Sequence, residues 1–291
     1  MVGFLVNLRI ITKAQILDKL RHVRHVALDM DGTIYNGGTV FAATNPFLGL
    51  LSQLGLGHTF LTNNPSKSVS DYLAHLRHMG ISATEDVMYT SAQATIKYLL
   101  AMQPAVRRIF VLGTPSMCAE FSAAGLVLLP DSATEEPDAV VVGFDTTLTY
   151  PRLCRAAWWI KQGKPFIATN PDRVCPTDQP TVLVDCGSIC AALETATGCK
   201  PTAVMGKPDP GMLRGILDQR GLQPHQLVMV GDRLYTDIEM ARRAGAVGVL
   251  VLTGESTAAE AKSAGTPDLV VTGLPELGDW LRLAKQEAQP A

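Results

Sequence analysis

Short, unbroken apolar runs recur along this chain, and nearly every one stops in turn residues before a helix-length stretch begins. "HVALDM" near residue 25, "HTFLT" (58–62), "RRIFVLG", "DAVVVGF", "KPFIAT", "QLVMVG" (226–231) and "VGVLVLTG" (247–254) are the clearest of them. Helix-like stretches separate or surround them, among them one near Asn45 to Leu54 and "KSVSDYLAHLRHMG", which stops at Gly80. Runs of this kind are apolar throughout rather than alternating, as strands are when helices cover both faces of a sheet. The order predicts βαβ units and a mainly parallel α/β sheet. No solenoid-length repeat interrupts that pattern.

The size and balance of the chain narrow its class. Its 291 residues suffice for two domains, and 47% hydrophobic with 18% charged residues reads as a soluble globular protein. A formal charge of −2 argues against a nucleic-acid or membrane-surface binder. No apolar stretch reaches the roughly 20 residues a bilayer span needs. The opening "MVGFLVNLRIITKAQ" carries Arg9 and Lys13, and "TKAQ" (Thr12 to Gln15) fits a capping box, so no export signal is expected and the location expected is cytoplasmic. The six cysteines form no CxxC pair and have no histidines at zinc-finger spacing, so reduced thiols are expected. No Gly-x-Gly-x-x-Gly turn or Walker A loop follows any strand, which leaves a dinucleotide site unsupported.

In open parallel sheets ligands bind beyond the carboxyl ends of the strands. Four strand exits carry distinctive polar groups. In "VALDMDGT", Asp29 and Asp31 are two apart and would share one side of an extended chain. Two close carboxylates repel unless a proton or cation lies between them. The pair therefore suits Mg²⁺, or a division into nucleophile and general acid/base, or simply a polar turn. Gly32 and Thr33 follow, with backbone N–H groups expected to be available to an anion.

"LTNN" offers the Thr62 hydroxyl and the Asn63 and Asn64 amides, with Ser66 placed to cap the next helix, a plausible phosphate cradle. In "GKPDPGML", Asp209 and Pro210 read as N-cap and first helical residue, holding Lys207 in a stiff loop; a solvated surface lysine is the plainer alternative. In "VMVGDRLYTDIEMARRAG", Asp232 leaves a strand, and Thr236 or Asp237 is expected to open a helix ending at Gly245. A fainter echo joins "FLTNNPS" (60–66) and "IATNPDR" (167–173), for which good turn chemistry is sufficient reason.

Taken together and in this order, "DMDGT", "LTNN", "GKPDP" and "GDRLYTD" resemble the four motifs of the haloacid dehalogenase (HAD) superfamily. They are most similar to its NagD-like, 4-nitrophenylphosphatase-like subfamily IIA, and the similarity includes "GFDTTLTYPRLCRAA" and "ATNPD". The resemblance implies a Rossmann-like three-layer parallel-sheet core with an inserted α/β cap of type IIA. The boundaries expected are core 1–81, cap 82–185 and core 186–291. It implies a phosphatase acting on small phosphorylated metabolites such as sugar phosphates or nucleotide monophosphates, with 4-nitrophenyl phosphate as a generic substrate.

In that scheme Asp29 is the nucleophile and Asp31 the general acid and base. Asp29, the backbone carbonyl of Asp31, and Asp232 hold Mg²⁺. Thr62 and Lys207 contact the phosphoryl group with help from Asn63, Asn64 and the amides near Gly32 and Thr33, and Asp237 is the supporting acid. Asn170, Asp172 and Arg173 become specificity candidates on a cap loop. A homodimer through the cap is the assembly such caps suggest. The rival class is a non-catalytic phosphometabolite-binding regulatory protein on the same scaffold, against which the completeness of the four motifs weighs.

Overall fold

A computed structural model describes residues 12–175, 177 and 179–287. Eleven strands within these residues build two sheets. In chain order they are β1 (His25–Asp29), β2 (Gly57–Thr62), β3 (Met88–Thr90), β4 (Arg108–Leu112), β5 (Val127–Leu128), β6 (Ala139–Val142), β7 (Phe166–Ala168), β8 (Ala203–Val204), β9 (Leu227–Gly231), β10 (Val247–Val251) and β11 (Leu269–Val271). The first sheet has the order β11-β10-β9-β1-β2-β3 and the second β8-β7-β6-β4-β5. Antiparallel ribbons Tyr35–Asn36 with Thr39–Val40, and Val174–Cys175 with Leu183–Val184, stand apart from both.

The chain divides into two compact units. One takes the described residues up to Thr59 together with those from Ile216 on; the other is Phe60–Gly215. In the first, β1, β9, β10 and β11 pair parallel, His25 opposite Leu227 and Val249 opposite Leu269. β1, β9 and β10 are buried along their whole length, which is why they contain no polar alternation.

The second unit carries the parallel five-stranded sheet, and neighbouring residues of each strand serve opposite faces. Phe110, Leu112, Val140 and Phe166 pack with Trp159 and Ile160 of helix Tyr150–Lys161 and with Ile189 and Leu193 of helix Cys186–Thr197. Ile109, Val111, Val141 and Ile167 face the other way, onto Leu99 and onto Met117 and Phe121 of helix Pro115–Ala123. Such two-sided burial makes the α/β expectation concrete.

Local signals also hold. Thr12 and Gln15 form the expected capping box for helix Lys13–Arg21, and all six cysteines are free thiols. The opening residues 1–11, read as carrying no export signal, lie outside the described residues. Among the described residues no helix is long and apolar enough to cross a membrane.

Candidate active site

In the first unit, β1 and β9 are adjacent and parallel, so their carboxyl ends release Asp29 and Asp232 side by side. A π-helical turn, Leu234–Ile238, follows β9 and brings in Asp237. One carboxylate oxygen from each of Asp29, Asp232 and Asp237 lies within 4.8 Å of the other two, and all three side chains are buried. The expectation that Thr236 or Asp237 starts a helix needs correction. Both lie inside the π turn and are buried, and helix Glu239–Ala244 follows, closed by Gly245. The Asp237 carboxylate instead accepts the Arg233 N–H at 3.1 Å, fixing the turn from within.

Asp232 is fixed by the loop after β10. Its Oδ2 accepts the Glu255 N–H at 2.7 Å, and its own carbonyl accepts the Ser256 N–H at 3.1 Å. A Cβ at Gly254 would stand 2.0 Å from that same Oδ2, so the loop after β10 can approach only as glycine. Thr253 Oγ1 donates to the Gly32 carbonyl at 2.6 Å, tying the loop to the turn after Asp29. "TGES" (253–256) carries no motif of its own; its signal is that it follows a buried strand at the same sheet end as the motifs.

Thr33 Oγ1 donates to Asp29 Oδ2 at 3.2 Å, a hydroxyl that orients the proposed nucleophile. Asp31 stands outside the carboxylate trio; its Oδ1 accepts the Gly37 N–H at 3.5 Å. Burial raises its carboxyl above the ordinary aspartate value, the Gly37 bond pulls the other way, and the Asp29 charge adds to the rise. The Gly32 and Thr33 amides are not available to an anion as expected. They donate to the Tyr35 and Met30 carbonyls at 2.7 and 3.2 Å, because closing so tight a turn consumes them.

The second unit holds the remaining motif residues. Thr62, Asn63 and Lys207 are all buried, so Lys207 is not the solvated surface cation that a lone lysine suggests. Asn63 grips the backbone of Lys207 at two points: Oδ1 accepts its N–H at 2.6 Å and Nδ2 donates to its carbonyl at 2.9 Å. The Asn63 carbonyl accepts the Ser91 hydroxyl at 2.7 Å. A Cβ at Gly206, where φ is +76°, would meet Asn63 Oδ1 at 2.7 Å, so this approach also requires glycine. Thr62 Oγ1 accepts the Asn64 N–H at 3.1 Å, which leaves its hydroxyl hydrogen to donate elsewhere.

Several cradle expectations change here. Asn64 Oδ1 accepts from both the backbone N–H and hydroxyl of Ser66, and its Nδ2 faces Cys175 Sγ, so its side chain serves the turn. Ser66 does not cap the following helix; Ser68 does, in a capping box with Asp71. Helix Gly211–Arg220 begins one residue beyond Pro210, with Asp209 Oδ1 accepting the Gly211 N–H at 2.8 Å. Among the cap-loop candidates, Asn170 is fully buried, and its Nδ2 donates to Asp185 and Asp172, which leaves no surface for a substrate. Arg173 is exposed, and its carbonyl accepts Asp185 N–H and Ser188 Oγ. Asp172 is turned toward Asn63, 2.9 Å from its Nδ2.

A haloacid dehalogenase-like hydrolase model matches residues 26–127, and a second model for HAD-like hydrolases matches residues 204–277. The acid sugar phosphatase of Staphylococcus aureus is 32% identical over 248 residues, 85% of this chain and 93% of that protein. The crystal structure of 4-nitrophenylphosphatase from Thermotoga maritima covers 90% of this chain and 98% of its own at 40% identity, with a TM-score of 0.84. A glycerol phosphate phosphatase from Mycobacterium tuberculosis, solved in complex with magnesium, is 32% identical over 91% of this chain and 79% of its own, with a TM-score of 0.82.

Proposed function

Because this chain belongs to subfamily IIA of the haloacid dehalogenase superfamily and is a phosphatase, we propose that it hydrolyses small phosphate monoesters with Mg²⁺, through an aspartyl-phosphate on Asp29. The observation that carries the finer reading is the trio Asp29, Asp232 and Asp237, three buried carboxylates within 4.8 Å. Charges so close are stable together only with a cation or protons among them. An all-oxygen donor set suits a hard cation such as Mg²⁺, the ion found with the mycobacterial relative. Asp29 and Asp232 would hold it, with the Asp31 carbonyl, while Asp237 supports them. Bound there, Mg²⁺ neutralises charge developing on the phosphoryl oxygens.

The residues divide the rest of the work. An Asp29 oxygen attacks phosphorus, the ester P–O bond breaks, and Asp31 gives its proton to the departing alkoxide. Asp31, now a carboxylate, takes a proton from water, and the resulting hydroxide attacks phosphorus. The acyl-phosphate P–O bond breaks, releasing inorganic phosphate and restoring Asp29. Thr62 and Lys207 contact the phosphoryl oxygens, a hydroxyl donor and a fixed ammonium that stabilise the charge of the transition state. Sugar and polyol phosphates head the substrate candidates, since relatives named acid sugar phosphatase and glycerol phosphate phosphatase are each 32% identical to this chain.

Turnover of 4-nitrophenyl phosphate, followed with Mg²⁺ and with EDTA beside Asp29→Asn, tests the proposal. Mg²⁺-dependent turnover lost by roughly 10⁴-fold or more in Asp29→Asn is the expected result. An Asp29→Asn enzyme with near wild-type turnover would remove Asp29 as the nucleophile.

A further inference from the structure

We infer that Asp172 is a positioning residue for Lys207, acting through the side-chain amide of Asn63, rather than a selector of substrates. The inference rests on the reading of Lys207 as the residue that contacts the phosphoryl group. Three observations within one compact unit carry it.

The first is the grip of Asn63 on Lys207. An asparagine amide that bonds both the N–H and the carbonyl of one residue acts as an extra peptide group laid beside it. Rotation of that amide would break both bonds, so its orientation fixes where the Lys207 backbone lies.

The second is the orientation of Asn63 itself. Its Nδ2 carries two hydrogens; one goes to the Lys207 carbonyl and the other to Asp172 Oδ2, both at 2.9 Å. Turning the amide over would place its oxygen against the Asp172 carboxylate and its NH₂ against the Lys207 N–H. Asp172 thus selects the one orientation that clamps Lys207, with a charge-assisted bond.

The third is how firmly Asp172 is held. Its carbonyl accepts the Gly187 N–H at 2.7 Å, and its Oδ2 also takes Asn170 Nδ2 at 3.3 Å. Asn170 Nδ2 is in turn 3.1 Å from Asp185 Oδ1, and Asn170 Oδ1 accepts Thr169 Oγ1 at 2.9 Å. Asp185 caps helix Cys186–Thr197, so the carboxylate is referenced to a helix terminus. A side chain committed to two neighbouring amides is poorly placed to read the variable part of a substrate.

The test is a double-mutant cycle on the full chain, with Asp172→Ala, Asn63→Ala, their combination, and Asp172→Asn. Each is assayed on 4-nitrophenyl phosphate, a sugar phosphate and a nucleoside monophosphate. Asp172→Ala is expected to lower kcat/KM about ten- to hundredfold on all three alike, as a misplaced contact to the phosphoryl group does. The double variant is expected to match Asn63→Ala, because both changes remove one relay. Asp172→Asn, which keeps a carbonyl oxygen for Asn63 Nδ2, is expected to recover most of the lost kcat/KM.

Independent, multiplicative losses would overturn the inference, as would a loss confined to particular substrates or no loss at all. A wild-type protein that turns over no ester would instead be a failure of the phosphatase reading. The same cycle is then read by calorimetric titration with inorganic phosphate. Non-multiplicative weakening by Asp172→Ala and Asn63→Ala supports the relay, and unchanged phosphate affinity in Asp172→Ala overturns it.

Discussion

The carboxylate trio around Asp232 and the amide clamp around Asn63 are built on opposite principles. Asp29, Asp232 and Asp237 bring carboxylates together in a buried place, an arrangement held by the surrounding backbone that the proposed cation would complete. Asn63, Asp172 and Lys207 bring donors to acceptors, and the main-chain groups of Lys207 find partners inside the chain. One region concentrates charge and the other fixes position. Stability and activity should therefore separate in the first region and fall together in the second.

The sharpest separation is expected in Asp232→Asn. Turnover should fall by about 10³-fold or more while the melting temperature without metal stays the same or rises, since one buried charge is gone. Added Mg²⁺ should raise the melting temperature of the wild type and not of the variant, because a ligand stabilises only the state that binds it. Scanning calorimetry with and without Mg²⁺ checks both, and a large metal-free destabilisation would mean the trio is held together by its own contacts.

Asn63→Ala should behave in the contrary way. The Lys207 N–H and carbonyl would each lose a bond, a cost of about 1–3 kcal/mol per buried group left unpaired. Melting temperature should therefore fall by the same amount with and without Mg²⁺, alongside kcat. A variant that melts like the wild type would show that the clamp is unnecessary.

His25 offers a smaller effect remote from this chemistry. It is buried in β1 with Nε2 2.8 Å from Thr59 Oγ1, and burial, helped by the charges of Arg220 and His58, lowers its pKa to about 4. The unfolded chain binds a proton there near 6.5 and the folded chain does not until about 4. Stability is thus unaffected above pH 6.5 and lost as pH falls from 6.5 to 4, by on the order of 3 kcal/mol. Urea unfolding across that range should show a shallower acid limb in His25→Gln than in the wild type.

Two glycine substitutions give the finest comparison. Gly254→Ala presses a methyl group on Asp232 Oδ2 and should weaken Mg²⁺-linked stabilisation and turnover about tenfold, while Gly206→Ala also imposes a left-handed conformation and should cost about 1–2 kcal/mol of stability. Parallel melts and assays separate the two; equal effects on both properties would blur the distinction between the regions.

How much of this was legible in the sequence follows the range of each interaction. The parallel α/β architecture was, because buried strands write themselves as continuous apolar runs. The placement of Asp29, Thr62 and Asp232 at strand ends and of Lys207 ahead of a helix was, because each stands where the apolar run gives way to turn chemistry. The fate of the Gly32 and Thr33 amides was not, since Gly-Thr after a strand reads the same whether its N–H groups close the turn or await an anion. The π turn was hidden because Thr and Asp before an apolar stretch look like caps. The contact Asp172 makes was hidden: its partner Asn63 lies 109 positions away, and nothing local distinguishes a loop carboxylate that reads a substrate from one that orients an amide.

The pairing of β1 with β9 has a consequence for the birth of the molecule. His25 waits for Leu227, about two hundred residues downstream, and at ribosomal speeds of ~5–20 residues per second that is roughly 10–40 s of synthesis. Throughout that interval Asp29 exists without Asp232. No nascent or prematurely terminated chain that stops short of Asp237 can assemble the carboxylate trio.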